Sequence, residues 1–187
     1  MIGYAFCGSF CTLTRSLSAM KALIEQGYEI LPIMSENVYT LNTRFWIADD
    51  FRREVERLTG KDIIHTIVEA EPLGPKISLD ALVVAPCTGN TLAKMALGIT
   101  DTAVTMAAKA HLRTDRPLLI CLSSNDSMSA NMKNISTMLM RKQVYFAPLV
   151  QDDPEKKPHS LVCDFEAIPS YLALALEGKQ HRPLFKL

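Results

Sequence analysis

Residues 79–98 read Leu-Asp-Ala-Leu-Val-Val-Ala-Pro-Cys-Thr-Gly-Asn-Thr-Leu-Ala-Lys-Met-Ala-Leu-Gly, and no other stretch of the 187 residues narrows the fold so far. Ala81 to Ala85 is a continuous apolar run with the length and valine content of a strand buried on both faces, as in a parallel sheet covered by helices. Pro86 has no N–H to donate and is expected to stop the ladder. Cys87-Thr88-Gly89-Asn90 is a turn of small polar residues. Thr91 to Leu97 is expected to be a helix, with Leu92, Met95 and Ala96 on its buried side and Gly98 as its stop. A strand that ends in hydroxyls, a glycine and an amide ahead of a helix N-terminus forms an anion cradle, because free N–H groups and the positive end of the helix dipole face one point. The same residues also suit an ordinary strand-to-helix turn capped by Thr88 or Asn90.

The rest of the chain repeats this alternation. Ile2 to Cys7 reads as the first strand and Gly8-Ser9-Phe10-Cys11-Thr12 as the turn out of it. Leu13, Leu17, Met20 and Ile24 share a helical face, and Gly27 ends that helix. Tyr28 to Met34 is a second strand, closing at Ser35-Glu36-Asn37. A polar connection, Tyr39 to Arg44, precedes a helix with Ile47, Phe51, Val55 and Leu58 in register, stopped by Thr59-Gly60. Ile63 to Val68 is a weaker apolar segment, a short strand at most, and Glu71 to Lys76 is a loop stiffened by Pro72 and Pro75. Beyond the central strand and helix, Thr100-Asp101 is expected to cap a helix from Thr102 to Leu112. Leu118 to Leu122 reads as a strand opening into the polar loop Ser123 to Ser127. A helix carrying Ile135, Met138 and Leu139 ends near Lys142, and Val144 to Ala147 is a strand. Gln151 to Pro158 reads as a surface loop. Ile168 to Leu176 is a closing helix with Pro169 in its first turn.

Strands alternating with helices predict an α/β fold: a doubly wound, mainly parallel sheet flanked by helices, a Rossmann-like or flavodoxin-like three-layer sandwich, in one domain spanning residues 1–187. Ligands of such folds lie beyond the carboxyl ends of the strands, where strand order reverses. Gly8-Ser9, Ser35, Thr88-Gly89-Asn90 and Ser123 to Asn125 all follow predicted strands, so they are expected to share one rim.

Twenty basic and twenty acidic side chains cancel, and no long basic run is present, which argues against nucleic acid or an anionic membrane surface as partner. No apolar run approaches the length of a membrane span. The apolar start lacks a basic leader and reads as a buried strand rather than a signal peptide. Five cysteines, an odd number without metal-ligand spacing, suit reduced thiols in a cytoplasmic protein with no bound metal. Cys87, at a helix N-terminus, is either a thiol of lowered pKa or a small buried turn residue. His65, His111, His159 and His181 are scattered, no Gly-x-Ser-x-Gly elbow occurs, and nucleophilic catalysis has little support.

The first turn has one glycine rather than Gly-x-Gly-x-x-Gly, which disfavours a dinucleotide. A single phosphate held by Gly8, Ser9, Ser35 and helix N-terminal amides fits better, so FMN suits these turns better than NAD. Thr88-Gly89-Asn90-Thr91 has the wording of the flavodoxin phosphate loop, but follows a different strand.

The run Ala85-Pro86-Cys87-Thr88-Gly89-Asn90-Thr91, continued by Gly98-Ile99 and Asp101, resembles the Ala-Pro-Ala-Thr-Ala-Asn-Thr signature of the FMN-binding cysteine-decarboxylase flavoproteins, a superfamily that includes flavin prenyltransferases. Four further segments resemble one branch of it, the dipicolinate synthase B subunits: Cys7 to Thr12, Asn42-Thr43-Arg44-Phe45, Ala70 to Lys76 and Gln151 to Pro158. The resemblance implies an FMN-dependent oxidoreductase that works with the pyridine-nucleotide-binding A subunit of dipicolinate synthase to make pyridine-2,6-dicarboxylate in sporulation, as a homo-oligomer, trimeric or dodecameric. It implies flavin contacts at Gly8, Ser9, Phe10, Ser35, Thr88, Gly89, Asn90 and Thr91, and catalytic positions at Asn90 and Asn125. Arg44 and Lys76, cations in polar loops, are the candidate partners for substrate carboxylates. Decarboxylases of the superfamily have Pro-x-Met-Asn where this chain reads Leu122-Ser123-Ser124-Asn125-Asp126, a departure that weakens the expectation of decarboxylation. Prenyl transfer to flavin, or a non-catalytic role beside the pyridine-nucleotide-binding partner, are the other readings.

Overall fold

A computed structural model of the chain describes residues 1–186. The chain opens with β1 (Ile2–Phe6), buried along its whole length, and passes through a 3-10 turn at Phe10–Thr12 into α1 (Leu13–Glu25). There follow β2 (Ile30–Met34), a short α2 (Glu36–Thr40), α3 (Ala48–Thr59) and a single turn, α4 (Ile67–Ala70). The central unit is β3 (Ala81–Cys87) and α5 (Gly89–Leu97), then α6 (Ala103–Leu112). β4 (Leu118–Ser124), α7 (Met132–Leu139), β5 (Val144–Phe146), β6 (Leu149–Val150), β7 (Leu161–Cys163), α8 (Ile168–Leu176) and β8 (Phe185–Lys186) complete it.

The strands form one mixed, mostly parallel eight-stranded sheet in the order β2-β1-β3-β4-β7-β6-β8, with β5 also paired to β4. β1 runs between β2 and β3, parallel to both, so the chain leaves it first to one side and then to the other. This reversal is the switch point at which a doubly wound sheet opens a crevice. β4 changes partner along its length. Leu118 to Ile120 pair with β5, whereas Ser123 and Ser124 pair antiparallel with β7.

The apolar faces expected of the long elements are where they pack: Leu13, Leu17, Met20 and Leu23 of α1 and Phe51 and Val55 of α3 are buried against the sheet. A buried polar joint lies among them. The Tyr4 hydroxyl donates to the Ser16 carbonyl at 2.9 Å and lies 3.0 Å from the Ser16 hydroxyl, which donates to the carbonyl of Ala85. It fastens the first turns of α1 to β1 and β3 directly below the crevice.

Several boundaries differ from expectation for identifiable reasons. Pro86 does not end β3: the strand continues to Cys87, with a register shift against β4 between Val84 and Cys87, and the Pro86 carbonyl accepts from Cys7 N–H at 3.1 Å. The missing N–H costs one ladder bond rather than the strand. α5 begins two residues earlier than expected because Thr88 is its cap, its hydroxyl accepting from Thr91 N–H at 3.2 Å. Thr102, not Thr100-Asp101, caps α6, in a reciprocal box with Thr105. Ile63 to Val68 contributes only an isolated bridge from Ile64 to Ile33 before α4 starts. The strands β6, β7 and β8 were not anticipated. At two or three residues each, they are too short for any periodicity, and only their neighbours make them strands.

Tyr4→Phe would remove the hydroxyl that ties β1 to the Ser16 carbonyl and hydroxyl. It is expected to lower unfolding stability by about 1–2 kcal/mol, seen as a lower urea midpoint at unchanged slope.

Candidate functional site

The turns leaving the carboxyl ends of β1, β3 and β4 meet in a cleft of about 680 Å³, within the size range of small-molecule sites. Gly8, Ser9 and Phe10 come from the first turn, Thr88 and Gly89 from the third strand's end, and Ser123 to Asp126 from the fourth. The Ser9 and Ser123 hydroxyls are 2.9 Å apart, and Thr12 donates to the Ser9 carbonyl at 2.9 Å, so the turn is closed on itself and tied across the sheet.

Of the residues singled out from sequence, Gly8, Ser9, Phe10, Arg44, Thr88, Gly89 and Asn125 line this cleft. Ser35 lies at the end of neighbouring β2, its N–H donating to the Phe6 carbonyl at 2.9 Å. Its hydroxyl oxygen is buried with no hydrogen-bond partner, an omission that is costly unless a ligand satisfies it. Thr91 is buried in the first turn of α5, where its hydroxyl accepts from Thr88 at 3.0 Å. Asn90 is exposed on the same turn and is not part of the cleft lining. Lys76 is placed elsewhere altogether. Its loop packs through Gly74 onto Ala110 in the last turn of α6, and leads by Ser78, bonded to Arg116, to the amino ends of β3 and β4. It stands at the opposite rim from Arg44, so the two cations do not share a site within one chain.

The cleft also contains residues that the sequence had not singled out. Asp126 accepts from the Ser124 hydroxyl and, through both carboxylate oxygens, from the Asn131 amide at 2.9 and 2.8 Å. Asn131 is itself held by Asn134 at 2.8 Å, and both are buried. The Ser124 bond, followed by those from Asn131, holds the Asp126 carboxyl below its ordinary pKa despite partial burial. This assembly lies on Gly89: a Cβ there would come within 2.4 Å of Ser124 Oγ, 2.5 Å of Asn131 Nδ2 and 2.8 Å of Asp126 Oδ1. Gly89 is therefore required by contact rather than by backbone angle. Asn131 and Asn134, one turn apart at the start of α7, were the available signal for this wiring.

Three cations face the cleft. Arg15 makes a forked pair with Glu166 at 3.1 and 2.9 Å and lies over the Phe165 ring at 5.2 Å. Lys157 pairs with Asp152 at 2.9 Å. Arg44 stacks on Phe45 at 4.8 Å and ion-pairs with no carboxylate among the described residues. Its loop is pinned to α1 by Trp46 Nε1, which donates to Thr14 Oγ1 at 3.0 Å.

Cys87 resolves to the structural alternative: complete burial pushes its thiol well above the ordinary value, and it donates to the Thr88 carbonyl at 3.6 Å. Burial likewise raises Cys7 to about 11. His111 is a packing residue, bonded to the Pro117 carbonyl at 2.9 Å, and His65 stacks on Tyr39 at 3.8 Å. A smaller hollow of about 300 Å³ beside Met95 and Leu112 holds Lys109, Arg113 and Arg141. These sit at the C-terminal ends of α5 and α6, where cations offset the helix dipole. Among the described residues no helix is long and apolar enough to cross a membrane.

The chain belongs to the flavoprotein family, whose sequence model matches residues 1–169. It is 40% identical to the dipicolinate synthase B subunit of Bacillus subtilis (strain 168) over 183 residues, 98% of this chain and 92% of the relative. A crystal structure of the dipicolinate synthase B subunit from Bacillus halodurans C superposes with a TM-score of 0.91 at 38% identity, covering 100% of this chain and 95% of the other. The fold also matches a dodecameric FMN-dependent UbiX-like decarboxylase from Escherichia coli O157:H7, with a TM-score of 0.64 at 19% identity over the full length of both chains.

Because the folded state lowers the Asp126 pKa, that carboxylate adds stability above the unfolded-state value, near about 4, and loses it as pH falls through the folded value. Asp126→Asn is thus expected to be less stable than the parent at neutral pH, with the gap closing on acidification. Urea unfolding from pH 7 to pH 3, at intervals of about half a unit, measures it.

Proposed function

We propose that the chain is the flavin-carrying B subunit of a dipicolinate synthase. In this reading it is a single domain that works in the cytoplasm of a sporulating cell as a homo-oligomer. With the pyridine-nucleotide-binding A subunit of that synthase, it forms pyridine-2,6-dicarboxylate from a dihydrodipicolinate precursor. The observation that carries this reading is a cleft at the strand ends whose lining combines neutral donors, Ser9, Thr88 and Ser123, with three cations, Arg15, Arg44 and Lys157. The near full-length likeness to named B subunits supports it. The fold shared with a dodecameric FMN-dependent enzyme is consistent with both cofactor and assembly.

The residues present fit FMN. Gly8, Ser9 and Phe10 of the cleft lining, with the partnerless Ser35 hydroxyl beside that lining at the end of β2, offer an uncharged phosphate side. Asp126, laid against the first turn of α5, repels a phosphate from that turn and directs it toward β1 and β2. Thr88, Gly89, Asn90 and Thr91 then serve the ribityl chain and the ring edge. When bound, the isoalloxazine supplies an acceptor for the hydride lost as a dihydropyridine ring becomes aromatic. Asn125, in the cleft lining, orients the reacting ring by its amide; Asn90, exposed on the first turn of α5, meets a ring edge that projects past that lining, and Arg44 takes a substrate carboxylate through its fork. Lys76, at the far rim, is given no part.

Protein reconstituted with FMN is expected to turn yellow, and Ser35→Ala to weaken FMN binding by about fivefold, measured by flavin fluorescence. Asn90→Ala is expected to slow the synthase, reassembled from its A and B components, by at least about tenfold. Failure to take up FMN overturns the reading, and an unchanged rate assigns the chain a non-catalytic role. Turnover of phosphopantothenoylcysteine, or of dimethylallyl phosphate with reduced FMN, moves it to decarboxylation or prenyl transfer.

A further inference from the structure

A rigid dicarboxylate presents two negative charges, and in the reading above Arg44 meets only one of them. The other would face a cleft that already contains Asp126 and Asp152, an arrangement that repels it unless a second cation is in reach. Two cations besides Arg44 line the cleft, and they differ in how firmly they are held. Arg15 is committed, forked onto Glu166 and stacked over Phe165. Lys157 has one ion pair, to a single oxygen of Asp152; both pairs are exposed, that of Arg15 and Glu166 the more so, and what sets Lys157 apart is that it has neither a fork nor a ring beneath it. An exposed pair of this kind is weak, and an ammonium on a four-carbon stem changes partner easily.

The backbone around Lys157 is fixed even though its ammonium is not. Lys157 N–H donates to the Asp153 carbonyl at 2.8 Å, Gln151 Nε2 to the Pro158 carbonyl at 2.9 Å, and Ser160 N–H to the Lys157 carbonyl at 3.0 Å. The Ser160 hydroxyl reaches Asn125 Oδ1 at 3.4 Å, which ties this loop to the turn after β4. The Arg44 loop is pinned to α1 by Trp46. Two anchored loops, distant in sequence, therefore present one cation each to the same opening.

We propose that Lys157 is the second carboxylate anchor of the cleft, leaving Asp152 for the ligand, so that Lys157 and Arg44 together select a dicarboxylate over a monocarboxylate. Asp152 is then an internal stand-in that occupies Lys157 while the cleft is free and competes with the ligand for it. This rests on the cyclic-dicarboxylate reading of the same site. It adds a residue, a selectivity and a direction of effect for two partners in one ion pair.

The test is calorimetric titration of the FMN-treated protein with pyridine-2,6-dicarboxylate and with pyridine-2-carboxylate. The wild type is expected to prefer the dicarboxylate. Lys157→Met should weaken the dicarboxylate by about five- to twentyfold while leaving the monocarboxylate and FMN affinities unchanged. Asp152→Asn should tighten the dicarboxylate, the opposite sign. A purely structural pair would move both variants the same way, and that result overturns the proposal. So does a wild type without preference, or a Lys157→Met protein that keeps it. If FMN is not taken up, the flavin reading falls, yet the same titrations on the flavin-free protein still decide whether two cations gauge the ligand.

Discussion

Placing β1 between β2 and β3 obliges the chain to leave the middle of the sheet in both directions, and the gap so opened is where all the polar chemistry collects. Nothing in the apolar layers below could hold a hydroxyl without a partner. The Tyr4, Ser16 and Ala85 joint shows how buried hydroxyls are answered there. At the strand ends the constraint relaxes. Ser9 and Ser123 answer each other, Thr88 is answered by Thr91 and Ser124 by Asp126, and Ser35 by no partner among the described residues.

The major elements were legible because their signals are long. Ala81 to Ala85 has the length and valine content of a strand covered on both sides, and the helical faces of α1 and α3 repeat over several turns. The expectation of a mainly parallel, doubly wound sheet matches the observed sheet and its flavoprotein neighbours. What the sequence hid is short or contextual. β6 to β8 are strands by pairing alone, and Pro86 is absorbed by a shift of register that no propensity foretells.

The candidate site was half visible for a related reason. Glycines and hydroxyls directly after predicted strands announce themselves, and Gly8, Ser9, Thr88 and Gly89 do line the cleft. Charged residues give no such cue, because a cation in a loop looks the same whether it faces a cleft or solvent. Arg44 and Lys76 had equal standing in the sequence, yet the fold puts them at opposite rims. Arg15 reaches the cleft from the first turn of α1, directly after the turn that lines it, whereas Asp152 and Lys157, far along the chain, become its neighbours through β7 and the β4 turn.

The carboxylate fastened over Gly89 has one more consequence. Asp126 has only neutral partners there and Arg44 has no carboxylate partner among the described residues, whereas Lys157 and Arg15 are balanced by Asp152 and Glu166. A molecule whose two ends differ in charge meets one unbalanced charge of each sign, which favours one way of sitting in the opening over its reverse. The recess thus works like a keyed socket, which sorts incoming molecules by orientation as well as by size.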